Sequence, residues 1–177
     1  MKVGKEMFNP LKVKLALVGV LVGTGLALAQ APQVTLRGVD GSSFSLAGNR
    51  GKVIVLSFGS TAVPLVAKEL PAFQKLADRY AGRDVAFYWV SINAAAPGAR
   101  NYISDADLQA FAQKNGLRLP LLRDPERAAS RAFGVDALPT VVIIDRAGQV
   151  SDKQVGFDPE RGEGYGDVIR MVDQLLK

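Results

Sequence analysis

The sequence predicts an α/β domain: a central mixed β-sheet with helices on both faces, entered through an N-terminal β-hairpin and carrying an inserted helix. Three observations predict it. Continuous apolar runs, Val53–Phe58 and Val85–Ile92, read as strands buried on both faces of a sheet. Segments with apolar residues three and four apart alternate with those runs, as helices laid on a sheet require. Toward the C-terminus two short strands flank Arg146-Ala147-Gly148-Gln149 and a last helical segment follows, so the sheet closes with an antiparallel hairpin.

Taken in order, residues 1–29 stand apart from the domain, which occupies 30–177. Lys2, Lys5, Lys12 and Lys14 against Glu6 give the start a net +3, and Leu15–Ala29 is an unbroken run of apolar and small residues. The Ala27-Leu28-Ala29 stretch before Gln30 fits the small-x-small rule of a cleaved secretory signal. The run falls short of the roughly 20 residues a spanning helix needs, and an uncleaved membrane tether through 15–29 is the alternative. Both place the domain outside the cytoplasm, periplasmic or secreted, in a bacterial envelope.

The basic excess is local. The chain carries a formal +5 from 22 basic and 17 acidic residues, of which the start contributes most. A basic patch for nucleic acid is not expected.

Val34–Leu36 and Ser43–Leu46 flank Gly38-Val39-Asp40-Gly41 and predict the entry hairpin. After Val53–Phe58, apolar residues at Val63, Val66, Leu70, Phe73 and Leu76 predict a helix. Pro64 suits its first turn and Pro71 is expected to kink it. Ser60 and Thr61 are expected to cap that helix. Beyond Val85–Ile92 and a loop to Tyr102, Ser104-Asp105-Ala106-Asp107 resembles a capping box opening the inserted helix. Asp105 and Asp107 read as first-turn acids favoured by the helix dipole rather than as metal ligands. Leu119–Leu122 reads as a short edge segment, and Asp124 or Pro125 as the start of a helix ending near Phe133-Gly134. Val141–Asp145 and Val150–Val155 are the hairpin strands, Gly156–Gly166 a Gly-rich connection without phosphate-loop spacing, and Asp167–Leu176 the closing helix.

Composition prunes the chemistry. There is no Cys, hence no disulfide, no thiolate nucleophile and no thiolate metal site; there is no His, hence no imidazole base or ligand. No catalytic residue, metal or cofactor is assigned from the sequence. Ser60 or Thr61 with Lys68 supplies the groups for a Ser–Lys type pair, but no spacing favours it.

Three separated motifs carry a family resemblance over about residues 33–177. They are GKVIVLSF at 51–58, Lys68-Glu69-Leu70-Pro71, and RLPLLRDPERAASRAFGVDALPTVVIID at 118–145. Together they resemble the thioredoxin-like superfamily, and more narrowly the TlpA/ResA-like extracytoplasmic thiol–disulfide oxidoreductases. The resemblance implies a thioredoxin-like fold and a cis Pro139 between Leu138 and Thr140, where the base rate for X–Pro bonds favours trans. The departure is at the active site. The family reads roughly F-W-A-x-W-C-x-x-C-R where this chain has Phe58 to Ala67. Val63 and Val66 stand at the two cysteine positions, Gly59 and Ala62 at tryptophan positions, and Ala67 at a basic one. Five neighbouring positions departing together point to natural loss of the site rather than engineering.

What the resemblance implies for function is a groove without its dithiol. Thr61, Ala62, Val63, Pro64, Leu65 and Val66 would flank Leu138, Pro139 and Thr140, where the family holds a substrate's extended backbone. A redox-inactive module binding an extended peptide or an envelope protein is one reading. Closure of the groove, with both valines tucked into the core, is the other. A vestigial or structural subunit of an envelope assembly is the alternative function, and an enzyme with non-thiol chemistry is disfavoured.

Overall fold

The computed structural model describes residues 32–160 and 164–177. The proposed signal or tether at 1–29 lies outside the described residues. Among the described residues no helix is long and apolar enough to cross a membrane.

Seven strands form one sheet: β1 (Thr35–Gly38), β2 (Ser43–Ser45), β3 (Val53–Gly59), β4 (Val85–Ser91), β5 (Leu121–Arg123), β6 (Thr140–Ile144) and β7 (Val150–Val155). The order across the sheet is β2-β1-β5-β4-β3-β6-β7. Strands β3, β4 and β5 run parallel, while β1, β6 and β7 pair antiparallel with their neighbours, so the sheet is mixed. Among the described residues the α-helices are α1 (Pro64–Arg79), α2 (Asp105–Lys114) and α3 (Ala128–Ala132), which lie between strands, and α4 (Gly166–Leu175), which follows β7; a single 3-10 turn, Ala47–Asn49, lies between β2 and β3.

The two faces of the sheet bury two cores. Val53 and Val55 of β3 face one core with Val66, Leu70, Phe73 and Leu76 of α1, Leu108 of α2, and Val168 and Val172 of α4. Ile54, Leu56 and Phe58 face the other, which holds Ala129 of α3, Phe133 and the entry-hairpin residues Leu36 and Phe44. Alternation along β3 is therefore apolar on both sides, the reason it reads as one continuous hydrophobic run. Each fully buried Val, Leu, Ile or Phe contributes about 1.5–3 kcal/mol relative to an exposed one, and β3 buries all seven of its residues.

Two local expectations are corrected. Leu121–Arg123 is an interior strand and not an edge, because β1 of the entry hairpin pairs with its outer side. Helix α3 opens at Ala128 rather than at Asp124 or Pro125. The buried Asp124 carboxylate instead accepts from the Ala129 and Ser130 backbone N–H groups and from Ser130 Oγ, while Arg127 takes a left-handed φ of 56° ahead of the helix. Pro71 lies inside α1 on its exposed side, and the helix continues beyond it to Arg79. The capping reading of Ser104 holds, since its hydroxyl accepts from Asp107 N–H at 3.1 Å.

Candidate functional site

The register brings the two candidate segments to one end of the sheet. Phe58 of β3 lies opposite Thr140 of β6, so the turn leaving β3 and the Leu138-Pro139 segment entering β6 share the same rim. The Leu138–Pro139 peptide is cis. Pro139 C=O accepts from Gly156 N–H at 2.8 Å, which ties that segment to the end of β7.

Helix α1 starts at the rim. Val63, with extended backbone at φ −101° and ψ 111°, is its N-cap, and Pro64 occupies the first turn, where a missing N–H is harmless. No side chain caps the helix: Ser60 and Thr61, expected to do so, are engaged elsewhere. Thr61 N–H donates to Asn93 Oδ1 at 3.0 Å, and Asn93 Nδ2 donates back to Thr61 Oγ1 at 3.0 Å. The same Nδ2 reaches Asn101 Oδ1 at 2.7 Å, and Ser60 Oγ accepts from Asn101 Nδ2 at 3.3 Å and from Ala62 N–H at 3.3 Å. Asn93 is buried, and Asn101 is held in a left-handed conformation at φ 66°. The turn is thus braced from the loop after β4 by side-chain amides. Neither Asn93 nor Asn101 stands out in the sequence, since both fall in what reads as an irregular loop.

Exposure divides the predicted residues. Ala62 and Pro64 are exposed, and Thr61, Val63, Leu65 and Leu138 are half-buried. Val66 is fully buried in the core under α1, and Pro139 and Thr140 are buried as well. Of the two valines at the family's cysteine positions, one reaches the surface and one does not. Lys68 is exposed on α1, and no hydrogen bond joins it to Ser60 or Thr61, so no Ser–Lys pair is assembled.

Two further sets of contacts surround the altered positions. Gly59 packs against the indole of Trp89: a Cβ at 59 would lie 2.7 Å from Trp89 Cζ2, closer than real contacts allow. Beneath the turn, Ser57 Oγ donates to Glu69 Oε1 at 2.7 Å and Tyr165 OH donates to the same oxygen at 2.8 Å. Glu69 is wholly buried, and Oε2 has no partner. Burial pushes its carboxyl up to about 7, against the lowering effect of the Ser57 and Tyr165 hydrogen bonds. The sequence marks Glu69 only as part of a family segment; its burial comes from its place on the inner face of α1, one position before Leu70.

On the same rim, Arg123 is buried in β5. Its Nε lies 3.3 Å from Asp105 Oδ1 and its Nη2 donates to Ile103 C=O at 2.8 Å. Asp105 also pairs with Arg37 at 2.9 Å. This carboxylate, read from sequence as a dipole acid, is the counter-ion of a buried guanidinium.

Comparison with known proteins bears on this geometry directly. A family model described as the AhpC/TSA family matches residues 28–153. The chain belongs to the AhpC/TSA family. Within it the relatives are thioredoxin-like thiol–disulfide oxidoreductases. The thioredoxin-like protein YneN of Bacillus subtilis is 31% identical over 127 residues, which cover 72% of this chain and 70% of that one. The thiol–disulfide oxidoreductase ResA of Halalkalibacterium halodurans is 28% identical over 148 residues, covering 84% and 74%. Among solved structures, a thiol:disulfide interchange protein DsbE from Chlorobium tepidum superposes with a TM-score of 0.69 at 22% identity, covering 84% of this chain and 96% of that one. The exposed lipoprotein thioredoxin Etrx1 of Streptococcus pneumoniae gives 0.63 at 25% identity, covering 81% and 100%. The fold is thioredoxin-like, and both redox cysteines of the TlpA/ResA-like group are replaced, by Val63 and Val66. Dithiol exchange and cysteine peroxidase chemistry are excluded, because valine offers no ionisable or nucleophilic atom.

Proposed function

We propose that this protein is a redox-inactive, extracytoplasmic binding module that holds an extended segment of a peptide or envelope protein along the rim between Thr61–Leu65 and Leu138-Pro139. The observation that carries this reading is the meeting of the Leu138-Pro139 segment with an exposed, apolar helix start at the same end of adjacent strands. Extended backbone bound there would gain main-chain hydrogen bonds and apolar contact with Ala62, Val63, Pro64 and Leu65, a mode that needs no thiol. Val66 and Thr140, being buried, support the surface from behind rather than line it. The relatives' names, among them an exposed lipoprotein thioredoxin, favour an extracytoplasmic address, and residues 15–29 supply either its signal or its tether.

Chemical-shift mapping with extended apolar peptides tests the reading. Perturbations are expected at residues 61–65 and 138–140; their absence at millimolar peptide overturns it.

A further inference from the structure

The turn between β3 and α1 lacks the restraints that usually fix a helix start. No side chain caps α1, Pro64 brings no N–H, and without cysteine nothing covalent ties position 63 to 66. Its hold comes from Asn93, which is 1% exposed. One carboxamide grips Thr61 twice, accepting its backbone N–H at Oδ1 and donating from Nδ2 to its hydroxyl. Asn93 is itself set by β4: its N–H donates to Ser91 Oγ at 3.2 Å, and that hydroxyl donates to Oδ1 at 3.0 Å. Ile92 N–H donates to Gly59 C=O at 3.0 Å, so the β3–β4 ladder runs up to the turn. A buried amide bonded at both ends has one orientation, and a satisfied polar network of this kind is rigid.

The same carboxamide reaches outward. Asn93 Nδ2 also donates to the side-chain and backbone oxygens of Asn101, and Asn101 Nδ2 donates to Ser60 Oγ at 3.3 Å. Asn101 is exposed and held at a left-handed φ of 66°, a conformation that needs local support in a residue other than glycine. It closes a loop whose ends are tied by Ala94 N–H to Asn101 C=O at 3.1 Å and by Ile103 N–H to Ala94 C=O at 3.2 Å. Residues 95–102 of that loop are exposed, Tyr102 at 40% among them. One network therefore has a buried end at Thr61 and an outer end in solvent. We propose that Asn93 and Asn101 form a carboxamide latch through which the 94–102 loop controls the binding rim: latched, Thr61–Leu65 is held ready for an extended segment, and a displaced loop releases it. Asn93 is the positioning residue and Asn101 the release point. Bonds that join loop to turn act in both directions, so a segment bound at the rim must in turn steady the loop. The inference rests on the proposed binding rim, but the latch itself can be tested without a ligand.

Amide exchange of the full chain, followed by NMR, tests the latch first. Asn101→Gly keeps the left-handed backbone without strain and removes only the carboxamide, from a residue that makes no bond to Thr61. Exchange at Thr61 should quicken about tenfold, while amides in the middle of β3 and β4 and the thermal midpoint stay unchanged. Asn101→Asp keeps an oxygen for Asn93 Nδ2 and tolerates the same φ, so it should restore most of the protection. An extended apolar peptide should bind Asn101→Gly about fivefold more weakly than wild type. At saturation it should slow exchange at Ala94 and Ile103 in wild type and leave it unchanged in the variant. Thr61 exchange that does not move in Asn101→Gly, an Asn101→Asp no better protected than Asn101→Gly, or equal peptide affinity in wild type and Asn101→Gly overturns the proposal. If wild type binds no peptide at all, the reading of function fails, and Thr61 exchange alone decides the latch.

Discussion

Glu69 and Tyr165 meet at 2.8 Å across 96 positions of sequence, joining the helix that carries the family's active-site positions to the last helix of the fold. With Ser57 as the third member, this contact makes a polar junction inside an otherwise apolar layer.

Stability should therefore fall as pH rises through neutrality. The folded-state pKa of about 7 lies above the ordinary 4.5, so the folded protein binds the proton more tightly than the unfolded chain does. The stabilisation is full below about 4.5, declines through the window between the two values, and is gone above 7. At about 1.4 kcal/mol per unit the span amounts to roughly 3 kcal/mol. Urea unfolding at pH 5.5 and pH 8.5 checks this. Wild type should lose stability between the two, and Glu69→Gln should lose at least 1 kcal/mol less.

Gly59 is expected to reject any side chain. In Gly59→Ala the new Cβ meets rigid indole atoms at 2.7 and 3.0 Å, so either Trp89 or the strand must shift. Overpacking of this kind costs about 1–3 kcal/mol. Thermal unfolding should show a drop of roughly 3–10 °C for a domain of this size. The double variant Gly59→Ala/Trp89→Phe should recover part of the drop, since the smaller ring clears the space. An unchanged Tm in Gly59→Ala would remove Trp89 as the reason for glycine here.

The frame of this fold is legible because its signals are local. Val53–Phe58, Pro64 and the 118–145 segment each announce a strand, a helix start or a family motif through neighbouring residues alone. What escapes the sequence depends on pairing between distant elements. Leu121–Arg123 looks like an edge until β1 covers it, and Ser60 and Thr61 look like caps until Asn93 and Asn101 claim them. Glu69 sits in a motif whose periodicity points it inward, yet nothing local tells of Ser57 and Tyr165 waiting there.

Asp105 and Arg123 make an asymmetric pair for mutagenesis. The Arg123 side chain is 2% exposed, with Nη1 unpartnered, whereas Asp105 is 35% exposed and shared with Arg37. Asp105→Ala strands a buried guanidinium without its counter-ion, and such losses cost several kcal/mol when both groups are buried. Discounting for the exposed side of Asp105, about 2 kcal/mol is expected. Arg123→Met removes the buried charge together with its need for a partner and should cost less than Asp105→Ala. Chemical denaturation of the two variants decides, and the reverse order would mean that Arg123 acts mainly through its packing and its bond to Ile103 C=O.

Restoring the thiols asks whether the frame still suits dithiol chemistry. Residues three apart across a helix start have Cα atoms roughly 5 Å apart, inside the range a disulfide spans. Val63 supplies the half-exposed position at the N-cap, where unpaired N–H groups and the helix dipole lower a thiol pKa. Val66 supplies the buried one, which suits a resolving thiol better than an attacking one. The variant Val63→Cys/Val66→Cys should close an intramolecular disulfide on mild oxidation, seen as loss of both free thiols without dimer formation. In its reduced form, Cys at position 63 should alkylate at least tenfold faster than Cys at 66. Equal alkylation rates, or thiols that stay free under oxidant in a folded protein, would show that the turn braced by Asn93 has moved away from the geometry of its relatives. That outcome would also weaken the peptide-binding rim, which relies on the same turn.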